Sequence, residues 1–282
     1  MTSPTVLSHL TVVPLLEARQ GGESSAVASL DLGLTRSEVL LGPEGVGLPG
    51  GQRLSWERLE EIGQNESVCY LVRDNDAEKI QRFSEYLDRF YSLMPTQGAP
   101  TLLISGVLMH RIKGIDPHRD TLTKVRTISP LQGPVLDTCT GLGYTAIQAA
   151  RVADEVVTIE LDPTVLEVAQ LNPWSLPLFD DPRIQQIVGD SFEEIQAFED
   201  GAFSRILHDP PMFSLAGELY SGECYRHLFR ILKPKGRMFH YIGDLESRSG
   251  RNVARGVLRR LQEAGFRRVV RKPGAFGLVA YR

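Results

Sequence analysis

Cysteine is scarce in this chain: Cys69, Cys139 and Cys224 are the only three among 282 residues, and none belongs to a Cys-x-x-Cys pair. That excludes a paired disulfide framework and the thiolate spacing of a zinc site, so no metal is expected. Long apolar runs are missing too. Nothing approaches the roughly 20 residues that cross a bilayer, so no membrane contact is expected. The leading residues lack a basic-then-apolar pattern, and the expectation is a cytoplasmic protein. Strong charge of one sign is absent overall, with 31 basic and 35 acidic residues and a net charge of −4. The balance is nevertheless uneven. Residues 248–282 carry ten Lys/Arg against the single acid Glu263, near +9, while the remainder is near −13. Such a basic segment, with Arg251, Arg255 and Arg259 on one stretch, points to an acidic partner, here expected to be RNA.

What is present is a strand and glycine-turn pattern. Residues 135–146 read Val-Leu-Asp-Thr-Cys-Thr-Gly-Leu-Gly-Tyr-Thr-Ala, an apolar run into Asp137 with Gly141 and Gly143 behind it. Glycines let a backbone approach a ligand closely, and an acid at a strand tip suits a cationic or hydroxyl-bearing ligand. Nicotinamide-binding turns place a pyrophosphate on the helix N-terminus, where an acid would be unfavourable. A second apolar run ends at Glu160, 23 positions after Asp137, the separation at which a carboxylate reaches ribose hydroxyls. Two more runs end at Asp190 and Asp209. Four successive strands each delivering an acid at the carboxyl end place those acids in one crevice of a parallel sheet.

This pattern resembles the class I S-adenosylmethionine-dependent methyltransferases. The resemblance covers residues 101–282 and implies a Rossmann-like α/β sheet with a terminal antiparallel strand. It also implies S-adenosylmethionine as cofactor, held by Asp137, Thr138, Gly141, Gly143, Tyr144, Thr145, Glu160, Leu161, Asp190 and Ser191. Later segments agree: a helix over 219–232, a Lys-Pro-Lys-Gly turn at 233–236, a strand over 237–242, a helix over 252–264 and a closing hairpin over 266–281. The helix before the first motif often covers the cofactor in this family, which makes Asp120, Thr121 and Lys124 candidates for a lid.

Residues 1–95 read as a separate small β-rich domain, with helices expected over 56–62 and 77–93 and a boundary in the Pro/Gly stretch at 94–100. The second helix rests on Ile80, Phe83, Leu87, Phe90 and Tyr91 at three-to-four spacing. This domain could support an oligomer.

Asp209-Pro210-Pro211-Met212-Phe213 is the second informative motif. Tandem prolines fix two φ angles and remove two donors, leaving a rigid turn of acceptors beside a carboxylate. Such a turn can hold an amine with its lone pair aimed at an electrophilic methyl. The motif resembles the (Asp/Asn/Ser)-Pro-Pro-(Tyr/Phe) turn of amino-methyltransferases acting on nucleic-acid bases. That resemblance implies Asp209, Pro210, Pro211 and Phe213 as catalytic residues and an exocyclic or ring nitrogen of an RNA base as acceptor. The alternatives are spermidine synthase-like aminopropyl transfer, methylation of a small amine, and a non-catalytic RNA-binding role. Aminopropyltransferases usually carry a glycine-richer first motif, which this chain lacks. His208, on the opposite side of the strand from Asp209, is expected to pack in the core.

Overall fold

The structure, a computed structural model, describes residues 3–282. The chain forms two compact units, the first running up to His118 and also taking in Thr164–Leu176, the second comprising Arg119–Pro163 and Pro177–Arg282. The first unit is β-rich, as its turn-rich sequence predicts. A four-stranded antiparallel meander (Ser25–Ala28, Ser37–Leu41, Gly45–Gly47, Arg53–Ser55) adjoins a helix at Trp56–Gly63 whose N-cap Ser55 accepts from the Arg58 amide. Val12 and Leu15 of the helix His9–Gln20, together with Val39, Val46, Leu54, Leu59 and Ile62, form the buried core. That first helix has Pro14 inside it.

Two sequence expectations fail here. Residues 77–93 are not a helix but three strands, Asp76–Lys79, Gln81–Ser84 and Arg89–Met94. Their three-to-four spacing arises because the chain doubles back through a turn with Asp88 at φ 52°. Phe83 and Phe90 thereby become directly paired cross-strand neighbours, with ring centroids 4.8 Å apart on an exposed face, while Tyr91 and Leu93 point into the core. The two-residue link Asp74-Asn75, both at positive φ, joins Tyr70–Arg73 to Asp76–Lys79, a hairpin signal that the apolar spacing obscured. The expected boundary at 94–100 also moves. Thr101–Ile104 pairs antiparallel with Arg89–Met94, so the sheet continues through that stretch and the unit ends near His118.

The second unit is built on a seven-stranded sheet. We label its strands β1 (Pro134–Asp137), β2 (Glu155–Glu160), β3 (Ile184–Val188), β4 (Phe203–His208), β5 (Leu232–Tyr241), β6 (Arg268–Lys272) and β7 (Gly277–Tyr281). Their order is β3-β2-β1-β4-β5-β7-β6. The first five pair in parallel and β7 runs antiparallel to both neighbours, the Rossmann-like arrangement with a terminal antiparallel strand that was expected. Parallel strands buried on both faces read as continuous apolar runs. Leu136, Ile159, Ile206 and Met238 are accordingly without exposed surface, and helices Gly222–Ile231 and Arg248–Glu263 add Tyr225, Leu228 and Leu261. The Lys-Pro-Lys-Gly turn lies inside β5 as a register shift, with Lys235 at φ 66°. Strand order reverses between β1 and β4, and the crevice beyond their carboxyl ends is where such sheets bind ligands.

Candidate active site

The turn after β1 is stitched to both neighbouring strands. Asp137 stands opposite Thr158 of β2 and Leu207 of β4. Its Oδ2 accepts from the hydroxyls of Thr145 (3.0 Å) and Thr158 (2.9 Å). Thr140 donates its amide to the Ile159 carbonyl at 2.9 Å, and Gly141 donates its amide to Glu160 Oε2 at 2.8 Å. Thr138 and Ser191 serve the same scaffold. The Thr138 hydroxyl meets His208 Nδ1 at 2.8 Å, and the Ser191 hydroxyl donates to the Thr138 carbonyl. Gly143, at φ 75°, caps the helix Tyr144–Ala150, in which Tyr144 and Thr145 are both buried. A Cβ on Gly143 would stand 2.7 Å from Leu178 Cδ2, whereas one on Gly141 (φ 52°) would meet nothing within 4 Å. One glycine is thus required by packing, and the other leaves backbone open to a ligand.

Burial raises the Asp137 carboxyl to about 8, partly opposed by its two hydroxyl partners and reinforced by the charges of Asp209 and Glu160. Its Oδ1 is buried with no hydrogen-bond partner among the described residues. Glu160, half-buried at the end of β2, is raised to about 7 by burial, against the pull of the amides of Gly141, Asp162 and Leu161. Leu161 follows, half-buried. Asp190 caps the next helix by accepting from the Phe192 amide at 2.7 Å. The charges of Glu160, at the end of β2, and Asp209, just after β4, both act on Asp137.

At the end of β4, Asp209 Oδ2 accepts from Lys124 Nζ at 2.7 Å. Lys124 comes from the helix Pro117–Arg126 and also pairs with Asp120 Oδ2 at 3.1 Å. Lys124 was expected only as part of a lid, yet it is a buried partner of the strand-tip acid. The Asp120-x-x-x-Lys124 spacing, four apart on one helix face, was the available sequence signal. Pro210 is buried. The Pro211 carbonyl is taken by the Tyr220 hydroxyl at 3.0 Å. Phe213, implied as a catalytic residue by the same motif, is 55% exposed and meets Tyr220 edge-on at 5.5 Å. His208 is buried and neutral, its pKa pushed down to about 4 by desolvation, as strand alternation predicted.

No protein-family model matches the chain. It is 43% identical over 231 residues to the uncharacterized protein MJ1233 of Methanocaldococcus jannaschii, an alignment covering 81% of this chain and 78% of that protein. The chain belongs to that protein's family. Shorter matches reach the polyamine aminopropyltransferase of Sulfolobus acidocaldarius, 32% identical over 102 residues and 34% of either chain. Putrescine N-methyltransferase 4 of Nicotiana tabacum is 24% identical over 162 residues, 56% of this chain and 42% of that one. These two matches span well under half of either named relative. Among solved structures, spermidine synthase from Thermotoga maritima superposes with a TM-score of 0.56 at 17% identity, over 71% of this chain and 70% of that one, a likeness of fold.

The comparisons overturn the expectation of RNA-base methylation. Similar proteins with a named activity are polyamine and putrescine transferases, and the glycine-poor first motif does not remove this chain from their neighbourhood. What stands is the enzyme fold shared by S-adenosylmethionine-dependent methyltransferases and aminopropyltransferases.

Proposed function

We propose that this chain transfers an aminopropyl group from a decarboxylated S-adenosylmethionine-type donor to a primary amine of a linear polyamine. The observation that carries the reading is the desolvated carboxylate of Asp209, paired with Lys124 and backed by Asp120. An aliphatic amine becomes cationic on alkylation, so a negatively biased acceptor site favours the charge that grows on it. A neutral base amine would need stacking more than charge, and the exposed Phe213 supplies no closed stacking wall.

The residues of the first three strands fit an adenosyl sulfonium donor. Gly141 leaves an open backbone face, and Asp137 Oδ1 is an orphaned buried acceptor. Glu160 would hold the ribose hydroxyls and Asp190 the adenine edge, with Thr138, Thr145 and Ser191 fixing the turn beneath. The donor supplies a carbon whose bond to sulfur breaks as the acceptor nitrogen bonds to it, the electron pair leaving on sulfur. Asp209 accepts a hydrogen bond from the N–H of the acceptor amine, aims its lone pair, and offsets the positive charge that grows on nitrogen.

The direct test supplies the purified protein with putrescine or spermidine and either donor, decarboxylated or not, and reads the products by mass spectrometry. An amine heavier by one aminopropyl unit is expected. Gain of a single methyl group would move the reading to amine methylation, and no product with any pair would sink it.

The raised carboxyls set a pH dependence. Asp137 and Glu160 lie above their ordinary values, so the stability they contribute is present below about 4 and lost as pH rises through about 7 to 8. A cationic donor favours their ionised forms. Its binding is expected to release protons near neutrality and to tighten as pH passes 7 and 8, read by titration calorimetry with S-adenosylmethionine. PH-independent affinity across that range would place these carboxyls away from the donor.

A further inference from the structure

We infer that Lys124 is a positioning residue whose fixed ammonium drives the acceptor amine to shed its proton to solvent as it docks on Asp209, an inference that rests on the amine-transfer reading above. Lys124 is 2% exposed, and its ammonium lies between Asp209 Oδ2 at 2.7 Å and Asp120 Oδ2 at 3.1 Å. The Tyr241 ring of β5 covers it at 4.5 Å. Among the described residues, these are the charged and titratable groups that act most strongly on Lys124, one from its own helix, one from the tip of β4 and one from β5. Asp209 is in turn felt by Asp137 on β1, Cys139 in the turn and Tyr220 after the Asp-Pro-Pro run.

Asp120, Lys124 and Asp209 together carry a single net negative charge. Lys124 occupies one oxygen of Asp209, and the 18% of that side chain still exposed is what an acceptor can reach. An incoming alkylammonium would then share one carboxylate with a fixed ammonium in a desolvated site, where like charges repel strongly. The acceptor is the mobile partner and can lose its proton to solvent. Lys124 is held by two carboxylates that raise its pKa above the ordinary lysine value, and it keeps its own proton. The amine that remains is neutral, hydrogen-bonded to Asp209, with its lone pair free for attack.

The test measures putrescine binding by calorimetry near pH 8 in two buffers of different ionisation enthalpy, alongside the pH profile of kcat. Wild type is expected to release about one proton per amine bound, since an alkylamine is otherwise protonated up to roughly pH 10. Lys124→Arg should behave alike. Lys124→Met leaves two carboxylates face to face, so the Asp120→Asn/Lys124→Met double variant, which restores the single net negative charge, is the decisive one. In it proton release should fall towards zero. The acid limb of kcat, which reports groups in the enzyme–substrate complex, should move up by about one to three pH units, with donor affinity unchanged. A lowered kcat with proton release and acid limb both as in wild type would make Lys124 merely structural and overturn the inference. So would wild-type binding without proton release. If wild type binds no amine, the amine-transfer reading itself falls and this inference falls with it.

Discussion

Replacing Asp209 with asparagine is expected to lower kcat by roughly 100- to 1000-fold, the usual cost of removing one preorganised group aimed at a developing charge. Donor affinity should change little. Asparagine keeps the size and one acceptor oxygen but loses the charge, so amine orientation survives while the offset to the growing ammonium does not. The fold would be strained, because Lys124 would then keep only Asp120 as a counter-charge. The variant's melting temperature must therefore be recorded with its kinetics. A kcat within a few-fold of wild type, measured with the pair of substrates that the wild-type protein uses, would reduce Asp-Pro-Pro to a strand-end turn.

The second large effect is at the glycines, and the two should fail differently. Gly143→Val places a β-branched side chain at φ 75°, 2.7 Å from the buried Leu178. Left-handed strain of about 1–2 kcal/mol and overpacking of about 1–3 kcal/mol together remove roughly 2–5 kcal/mol of stability. That is a large part of what a domain of ordinary stability possesses. Gly141→Ala meets no neighbour, so only the strain applies and unfolding should shift by about 1–2 kcal/mol. Its methyl group nevertheless occupies the face left open to a ligand. Expected outcomes are a much lower melting temperature for Gly143→Val, and near-normal melting with weakened S-adenosylmethionine binding for Gly141→Ala. Unchanged donor affinity in Gly141→Ala would remove that turn from the donor site.

Much of the second unit was legible because parallel strands announce themselves locally. Buried on both faces, each of the first four strands shows an apolar run followed by an acid, and the glycine turn behind Asp137 needs no distant residue to be recognised. The first unit was harder. Its strands are short and antiparallel, and a doubled-back chain can imitate helical spacing, as Phe83 and Phe90 do across the Asp88 turn. Resemblance through Asp-Pro-Pro also misdirected the acceptor reading towards RNA, since a rigid turn beside a carboxylate suits any amine, and the turn alone carries no information about what surrounds it.

By itself the sequence determined the order of strands and turns in the second unit and the acids at their tips, which depend on short-range sterics and periodicity. Tertiary structure decided what those acids are. Asp137 becomes a desolvated carboxyl held by Thr145 and Thr158, and Asp209 becomes half of an ion pair with a lysine 85 positions away in the chain. The physical reason is that charge state follows from burial and from the partner brought alongside. Neither can be read from a residue's own neighbours, because the partners come from other elements: helix Pro117–Arg126 at the end of β4 for Asp209, and Thr145 and Thr158 for Asp137.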